Sequence, residues 1–205
     1  MSTLRTYGGV KGDHRRDERR GLLIEAGLDL LGDPEEPTLS VRGVCQRSGL
    51  VSRYFYESFA DRDALAEAVY DHVVKELADT TLRAVNAAPA TAEAKVRAGI
   101  ENIVRTVADD PRRGRLLFGT PLASRPLAQR RLRSARLFAS LLTAQAREFY
   151  GLASDEQVEV AAQFLVGGLA QTLTAWLAGD LPLDQAQVID SCADIFLALA
   201  ARRIT

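Results

Sequence analysis

Apolar residues recur at intervals of three and four positions along most of this chain, which is the spacing of one face of an α-helix. One such stripe lies in the segment 15–31, and another follows Asp61 up to a break at 87–91. No segment keeps the period of two that a half-buried strand shows. The pattern therefore predicts an all-α protein of about nine helices. The later stripes lie in 91–108, 111–118, 125–150, 154–178 and 184–203.

The most specific local pattern lies in the segment 38–65. Ser40 is placed to cap a short helix, because its hydroxyl can accept an unpaired backbone N–H at the helix start. Gly49 is placed to end that helix, since a tight turn needs the positive φ that glycine adopts freely. A second short helix then begins at about Val51, and Asp61 is placed to cap a third. The segment therefore predicts two short helices joined by a tight turn and followed by a longer helix.

The second short helix carries an unusual set of side chains for a surface element. Ser52, Arg53, Tyr54 and Tyr56 lie within five positions of one another. Long polar and aromatic donors on one helical turn suit the base edges and phosphates of a DNA major groove. Arg53 is the strongest candidate for a guanine contact, because a bidentate contact gives on the order of 1–3 kcal/mol of discrimination.

This stretch resembles the helix-turn-helix of the TetR family of bacterial transcriptional regulators. The resemblance rests on the turn at Gly49, on Tyr56 followed by Phe59, and on Arg62 at the start of the next helix. It covers roughly residues 17–75, the first third of the chain. The position near the N-terminus, with a long helical remainder behind it, is also the layout of the family.

Other positions near the motif agree with the family pattern or depart from it. The run Leu39-Ser40-Val41-Arg42 is similar to the start of the family's first motif helix. The acidic, proline-containing segment 33–37 stands where many members have glycine followed by an aromatic residue. Arg53 and Tyr54 stand where a small residue and threonine are common. This last departure concerns which bases are contacted, and it leaves the mode of binding unchanged.

The resemblance implies a three-helix DNA-binding domain followed by a helical domain for ligand binding and dimerisation. We expect a flexible segment at 1–13, the DNA-binding domain at 14–60, a connecting helix at 61–80 and the effector-binding and dimerisation domain at 81–205. The implied function is that of a transcriptional regulator, by expectation a repressor, that binds a palindromic operator as a homodimer. A small, largely apolar effector would release it, and the expected partners are double-stranded DNA, a second copy and this unknown effector.

The residues expected to contact DNA fall into groups by role. Ser52, Arg53 and Tyr54 are expected to face base edges and the neighbouring phosphates. Tyr56 and Arg62 are expected to clamp phosphates. An alternative for Tyr56 is that half of its ring packs beneath the motif. The remaining expected phosphate contacts are Ser40 and Arg42.

Basic residues crowd the chain before and at the start of the first helix, where acidic neighbours partly offset them. The run is either a solvated helix face or an N-terminal arm that touches the DNA backbone. The net charge of −1 leaves DNA binding open, since a sequence-specific protein needs a local basic patch and no overall positive charge. The run consists of Arg5, Lys11, Arg15, Arg16, Arg19 and Arg20.

The middle helices are expected, by the resemblance, to enclose a pocket for an effector. The alternative for each candidate lining residue is plain core packing. Gln145, Gln163 and Gln171 favour a pocket, because an apolar helix face rarely buries an amide without a partner. The candidate lining residues are Ile103, Phe118, Phe138, Leu142, Gln145, Phe164, Gln171 and Trp176.

Arginines crowd the region between residues 112 and 136. They form either a solvated surface or an entrance that favours an anionic effector. The run consists of Arg112, Arg113, Arg115, Arg125, Arg130, Arg131, Arg133 and Arg136.

The last two helices carry more apolar surface than one small domain needs. This surplus predicts a twofold interface in which two helices from each subunit form a four-helix bundle. The alternative is a monomer that uses these helices for its own core. The expected interface residues are Leu165, Gly168, Leu169, Thr172, Ile195, Phe196 and Leu199.

Composition excludes several other classes of protein. The two cysteines, Cys45 and Cys192, are far apart in apolar helical settings, which favours buried thiols in a cytoplasmic protein. The two histidines, His14 and His72, meet no zinc spacing or nucleophile pattern, and the chain has no glycine-rich phosphate loop. We therefore expect no enzyme, no cofactor and no metal, and we find no apolar run long enough to span a membrane. The remaining alternative is a helical DNA-binding dimer controlled by a protein partner, without a small-molecule pocket.

Overall fold

The computed structural model describes residues 9–119, 125–150 and 156–201, and these residues form nine helices and no strand. The prediction of an all-α protein is confirmed. The expected helix start at 154 and the expected helix end at 203 lie outside the described residues. The helices are α1 Gly9–Leu31, α2 Val41–Ser48, α3 Ser52–Ser58, α4 Arg62–Ala87, α5 Ala92–Asp109, α6 Pro111–Phe118, α7 Arg125–Tyr150, α8 Glu156–Leu177 and α9 Gln185–Ala201.

α1 begins earlier than its apolar stripe predicts, so residues 9–13 are helical although we expected them to be flexible. Once a helix has a nucleus, each further residue adds one backbone hydrogen bond, and the packed stripe downstream supplies that nucleus. The extension therefore includes Gly12, although a glycine inside a helix costs about 1 kcal/mol relative to alanine. Residues 1–8 of the expected flexible segment lie outside the described part of the chain.

The chain divides into two compact units, and the boundary lies between His72 and Val73. This boundary falls inside α4, which is one continuous helix of 26 residues. The first unit contains α1, α2, α3 and the beginning of α4. The second unit contains the rest of α4 and the helices α5 to α9.

The first unit has an apolar core to which each of its helices contributes. Leu23, Val44 and Phe55, one from each of the first three helices, are completely buried. α1 and α4 approach closely at Gly27, where a Cβ atom would lie only 2.7 Å from a methyl carbon of Val69. Because any larger side chain at this position would displace one of the two helices, the contact fixes α1 against α4.

The connection between α2 and α3 has the geometry that the sequence predicts. Ser40 Oγ accepts a backbone N–H at the start of α2 at 3.1 Å. Gly49 follows α2 with a φ of 71°, in the left-handed region that favours glycine. Asp61 Oδ1 accepts a backbone N–H in the first turn of α4 at 2.8 Å. Ser40 and Gly49 therefore bound α2, and Asp61 begins α4.

The second unit has its core between α5, α8 and α9. Val104 of α5, Leu173 of α8 and Val188 of α9 are buried at its centre, together with the thiol of Cys192. Larger side chains pack around this cluster and remain partly exposed. They are Val96, Ile103, Phe118, Leu169, Trp176 and Phe196.

Polar contacts join α5 and α6 to the part of α4 in the second unit. Asn102 Nδ2 donates to the hydroxyls of Thr80 and Thr81, at 3.0 and 2.9 Å. Arg113 Nη2 of α6 lies 2.9 Å from Glu76 Oε2 of α4. A half-buried amide or guanidinium without a hydrogen-bond partner destabilises the folded state. These contacts therefore fix the relative positions of the three helices.

α8 is, by length and composition alone, apolar enough to cross a membrane. The helix lacks the uninterrupted apolar run that we expected a membrane span to show. Only amides and hydroxyls interrupt the helix after Glu159, and no charged residue follows before Leu177. Only 11% of its most apolar stretch is buried within the chain. A helix left uncovered in this way needs another apolar surface, and the side of a second protein molecule supplies one as well as a lipid does.

Candidate nucleic-acid interface

α3 has one anchored face and one open face. Phe55 is completely buried, and its ring centre lies 5.9 Å from that of Phe59. On the opposite face Ser52 and Arg53 are exposed, and 83% of the Arg53 side chain is open to solvent. The helix is only seven residues long, so this anchoring is what holds the open face in place. An exposed, rigidly held polar helix face is the form that insertion into a major groove requires.

Arg53 does not extend freely from α3. Its Nε–H donates to Glu57 Oε1 at 2.9 Å, one helical turn further along. The other carboxylate oxygen of Glu57 lies 3.9 Å from Nη2 of Arg19, which belongs to α1. The outer surface of α3 therefore carries a carboxylate between two guanidinium groups.

Tyr54 differs from the expectation that it faces base edges. Its ring is half-buried, and the guanidinium of Arg19 lies over it at 4.2 Å from the ring centre. This cation–π contact occupies one face of the ring and joins α1 to α3. Tyr54 consequently contributes to the docking of α3 as well as to its surface.

Part of the basic run in α1 is used inside the protein. Arg16 Nη2 donates to the backbone oxygen of Glu57 at 2.9 Å, and the guanidinium of Arg20 lies 4.6 Å from the ring centre of Phe59. The sequence leaves open whether these arginines form a solvated face or a DNA-contacting arm. Their placement shows a third use, because they fasten α1 to the end of α3. The side chains of Arg5 and Lys11 lie outside the described residues.

Tyr56 is placed differently from Tyr54. Its side chain is 62% exposed, and only the edge of its ring meets Phe55, at 5.3 Å between ring centres. The alternative that half of the ring packs beneath the motif does not agree with this exposure. The ring stands on the open surface of α3, where a phenolic O–H can meet a phosphate.

The other expected phosphate contacts lie at helix starts. Ser40 accepts a backbone N–H as the cap of α2, and its own O–H remains available as a donor. Arg42 is exposed in the first turn of α2. Arg62 opens α4, is largely exposed and lies 3.5 Å from the carboxylate of Asp63. Unpaired backbone N–H groups at a helix start attract phosphates, so the location suits this role.

Sequence reasoning missed Glu57 and Arg19 as parts of this surface. The separation of four positions between Arg53 and Glu57 was a usable signal, because such residues are neighbours on a helix. The contact between Arg19 and Tyr54 had no such signal, since it depends on how α1 crosses α3.

The candidate effector residues separate into two groups in the second unit. Ile103, Phe118 and Trp176 pack around the core cluster, and the three candidates on α7 are half-buried. Phe164 and Gln171 are exposed on the outer side of α8, apart from the half-buried candidates, and their assignment to an effector pocket stays a prediction. The apolar pattern of α8 does not distinguish a face covered by the same chain from one left uncovered. The three α7 residues are Phe138, Leu142 and Gln145.

An uncovered apolar face runs along α8, and α9 also exposes an apolar side chain. Val160 is 67% exposed, Phe164 70% and Ile195 57%, and the exposed glycines Gly167 and Gly168 lie on the same side of α8 as the first two. We call this set the α8–α9 face. Two of the expected interface residues lie on it, Gly168 and Ile195.

The other expected interface residues are half-buried within the chain. Leu169 and Phe196 pack against the core of the second unit while remaining partly exposed, and their assignment to a subunit interface stays a prediction. Thr172 Oγ1 donates to the backbone oxygen of Gly168 at 2.9 Å. The most exposed apolar stripe of α8 therefore lies about one position around the helix from the predicted one, and neighbouring stripes on an apolar helix look alike. Leu165 and Leu199 are also half-buried.

The arginine-rich region is largely engaged in structural contacts. Arg112 pairs with Asp110 at 2.8 Å, and this hydrogen bond lowers the pKa of Asp110 below its ordinary value. Arg131 donates to the backbone oxygen of Gly119 and to the hydroxyl of Thr174. The side chain of Arg125 lies outside the described residues. The run is thus partly a set of ties between helices.

A cleft of about 500 Å³ lies between α5 and α9. Its lining is polar: Arg97 lies 2.7 Å from Asp190, and Arg105 lies 2.6 Å from Glu101. It contains none of the candidate effector residues. Because its charges are paired with one another, it does not have the character of the apolar effector pocket that we expected.

The thiols and acidic groups give no sign of a metal site. Burial raises the pKa of both Cys45 and Cys192, so each thiol stays protonated and packs as a small apolar group. Within 9–119, 125–150 and 156–201, no three His, Cys, Asp or Glu residues are grouped so as to hold a metal ion.

Comparison with solved structures identifies the fold. A TetR-family transcriptional regulator from Streptomyces coelicolor is 19% identical with a TM-score of 0.71, over 91% of this chain and 83% of that chain. The fatty acid degradation regulator FadR from Bacillus halodurans is 15% identical with a TM-score of 0.71, over 86% and 97%. FadR from Bacillus subtilis, solved with stearoyl-CoA, is 14% identical with a TM-score of 0.70, over 86% and 96%.

The resemblance noted in the sequence is thereby confirmed at the level of the fold. The chain has the fold of TetR-family transcriptional regulators, with an N-terminal helix-turn-helix unit and a helical second unit. No protein-family model and no curated protein matches its sequence.

Proposed function

Since the chain has the fold of TetR-family regulators, we propose that it is a transcriptional regulator that binds a palindromic DNA operator as a homodimer. The observation that carries this proposal is the outer face of α3. Arg53 and Tyr56 project from a short helix whose other face is anchored by Phe55 and whose start follows the left-handed turn at Gly49. In this proposal the protein is not an enzyme, and it acts in the cytoplasm, where DNA is accessible.

The DNA contacts are assigned by exposure and chemistry. Arg53 contacts a guanine, and Ser52 contacts the adjacent base edge or phosphate. Tyr56 and Arg62 clamp phosphates on one side of the groove. Tyr54 has a smaller share of base contact than the sequence suggested, because Arg19 covers one face of its ring. Ser40 and Arg42 contact the phosphates on the other side of the groove.

Dimerisation follows from the α8–α9 face. Burying a Val, Ile or Phe side chain contributes about 1.5–3 kcal/mol each, and a twofold axis counts every such residue twice. The exposed glycines allow two copies of α8 to approach closely. A dimer also explains how a seven-residue helix can be selective, because two copies spaced about 34–36 Å apart meet two half-sites on one side of the duplex.

We further propose that a small, largely apolar effector binds the second unit and releases the protein from DNA, which makes it a repressor. The support is the set of half-buried apolar side chains on α7 near Phe138 and Leu142, together with the fold. FadR from Bacillus subtilis binds stearoyl-CoA, so long-chain acyl-CoA is the first class to test. Release requires that the effector binds two conformations with different affinity, since only such a ligand shifts their populations.

Thermal unfolding with a series of ligands tests the effector. A long-chain acyl-CoA, the free fatty acid and a neutral ester of equal length are compared. We expect the anionic ligands to raise the melting temperature more than the ester, because Arg133 and Arg136 of α7 are exposed cations. Equal shifts for all three would remove the case for an anionic effector, and no shift with any ligand would favour the alternative of a dimer controlled by a protein partner.

Selection of duplexes from a random pool tests the DNA-binding proposal. We expect enriched sequences with two inverted half-sites whose centres lie about one helical turn apart. Recovery of no dyad-symmetric sequence at moderate ionic strength would contradict the proposal.

A further inference from the structure

We propose that Glu57 orients Arg53 for base recognition and thereby sets the base preference of α3. The inference rests on the proposed DNA-binding function. It assigns Glu57 as a positioning residue, which acts through Arg53 and does not itself need to touch the DNA.

The hydrogen bond between the two side chains leaves the correct part of Arg53 available. Arg53 donates through Nε to Glu57 Oε1 at 2.9 Å. A guanidinium has five N–H donors, and the four on the two Nη atoms lie at the outer end of the group. Two of these donors in parallel match the O6 and N7 acceptors of guanine. Engagement of Nε therefore fixes the orientation of the group and leaves its base-reading edge open.

The value of this contact lies in orientation, because its contribution to stability is small. An ion pair in which one side chain is 83% exposed stabilises the fold little, since water screens the charges. A free arginine, in contrast, has many accessible rotamers, and part of this side-chain entropy is lost when the side chain is fixed on a base. Ordering Arg53 before DNA arrives removes part of that loss from the binding step.

Glu57 can orient Arg53 because residues of α1 contact Glu57. Its side chain is only 35% exposed, and its second carboxylate oxygen lies 3.9 Å from Nη2 of Arg19. Arg16 Nη2 donates to the backbone oxygen of the same residue at 2.9 Å. α1 thus holds the backbone of Glu57 and places a second cation near its carboxylate, which accepts the hydrogen bond of Arg53.

The charge of Glu57 separates this role from that of a DNA contact. A carboxylate on the groove-facing helix repels phosphates, so its removal should leave binding to unrelated DNA unchanged or raise it. A residue that only strengthened DNA binding would show the opposite sign. Loss of base preference without loss of non-specific affinity is therefore the signature of the proposed role.

The test uses the full-length protein and an operator obtained by selection from a random pool. Dissociation constants are measured for the operator, for its three variants at the base pair whose preference Arg53→Ala abolishes, and for an unrelated duplex. Glu57→Ala should reduce the preference at that base pair about tenfold, within the range that a bidentate guanine contact supplies. The base preference of Glu57→Gln should lie between those of the unsubstituted protein and Glu57→Ala, because the glutamine amide oxygen still accepts the Nε–H of Arg53.

Two controls exclude a loss of charge or of structure as the cause. Glu35→Gln removes the same charge from the exposed connection between α1 and α2 and should leave the preference unchanged. In an Arg53→Ala background, Glu57→Ala should have no further effect on base preference. Thermal unfolding checks that α3 stays docked, which we expect because Arg16 bonds to the backbone of residue 57 and not to its side chain.

Each other outcome overturns the inference. If Glu57→Ala keeps the preference intact, or weakens all sequences equally in both backgrounds, Glu57 does not position Arg53, while the proposed function stands. If Arg53→Ala alters no base preference, the inference also fails and the proposed function again stands. If the unsubstituted protein prefers no operator at all, the proposed function fails and the inference fails with it.

Discussion

At the scale of single residues, exposure decides what each arginine of the first unit does. Arg53 projects from α3 into solvent, whereas Arg19 and Arg20 lie over the rings of Tyr54 and Phe59. The sequence alone shows only that all of them are basic. An arginine over a ring joins two helices through its planar cation, so it has less freedom to meet a phosphate. Specific recognition therefore depends on a few exposed cations and not on the total charge of the unit.

Substitution of Arg53 and Arg62 should separate base recognition from phosphate binding. In the proposed complex Arg53 contacts a base, so Arg53→Ala should relax the preference at one base pair by about 1–3 kcal/mol. Arg62→Ala removes a phosphate contact and should weaken all sequences alike, with a shallower salt dependence. Titrations of the operator and of single-base variants at several salt concentrations measure both effects. A uniform loss of affinity in both variants would show that the two roles are assigned wrongly.

At the scale of helices, α3 exists because of its neighbours. A helix of seven residues does not form alone in water, since nucleation costs more than so few hydrogen bonds return. The turn at Gly49 sets its direction, and the burial of Phe55 holds it in place. The open face of α3 is consequently as rigid as the core beneath it.

Gly49 should be needed for its backbone conformation alone. A Cβ atom at this position would meet no atom within 4 Å, but its φ of 71° is unfavourable for alanine. Gly49→Ala should therefore lower the free energy of unfolding of the first unit by about 1–2 kcal/mol. Urea denaturation followed by circular dichroism measures this change.

Gly21 provides the matched control, because it also has open space around it but lies inside α1 with an ordinary helical φ. Gly21→Ala should raise the free energy of unfolding by about 0.5–1 kcal/mol. If both substitutions changed stability in the same direction, the left-handed turn would not be what constrains residue 49.

The sequence predicted the helices better than it predicted their surroundings. Ser40, Gly49 and Asp61 act through bonds to nearby backbone, so their roles follow from local spacing. The position of Phe164 depends on which face of α8 the rest of the chain covers, and an apolar helix gives no local signal for that. The contact of Arg19 with Tyr54 likewise requires knowledge of how two helices cross.

At the scale of the whole molecule, the single chain leaves an apolar surface uncovered. The α8–α9 face exposes Val160, Phe164 and Ile195, whereas a stable monomer rarely leaves such side chains together in water. A twofold assembly would cover this surface and would also supply the second reading helix. In the proposed dimer, burial of this surface would both remove exposed apolar side chains from water and bring the second α3 to the DNA.

A charge placed on the α8–α9 face should separate the subunits. Phe164→Glu introduces two carboxylates across the twofold axis and removes two apolar contacts worth about 1.5–3 kcal/mol each. The dimer dissociation constant should rise by about 100-fold or more, measured by sedimentation equilibrium. Leu22→Glu, which charges an exposed leucine of α1, is the control and should leave the constant unchanged. A Phe164→Glu protein that remains fully dimeric would place the interface elsewhere.

The most direct measurement of the central claim is binding to the selected operator before and after insertion of about five base pairs, half a helical turn, between its half-sites. If two copies of α3 contact the major groove from one side of the duplex, the insertion should reduce affinity to the level of a single half-site, and the intact operator should bind two subunits. Equal affinity for both duplexes, or saturation at one subunit per operator, would contradict the account.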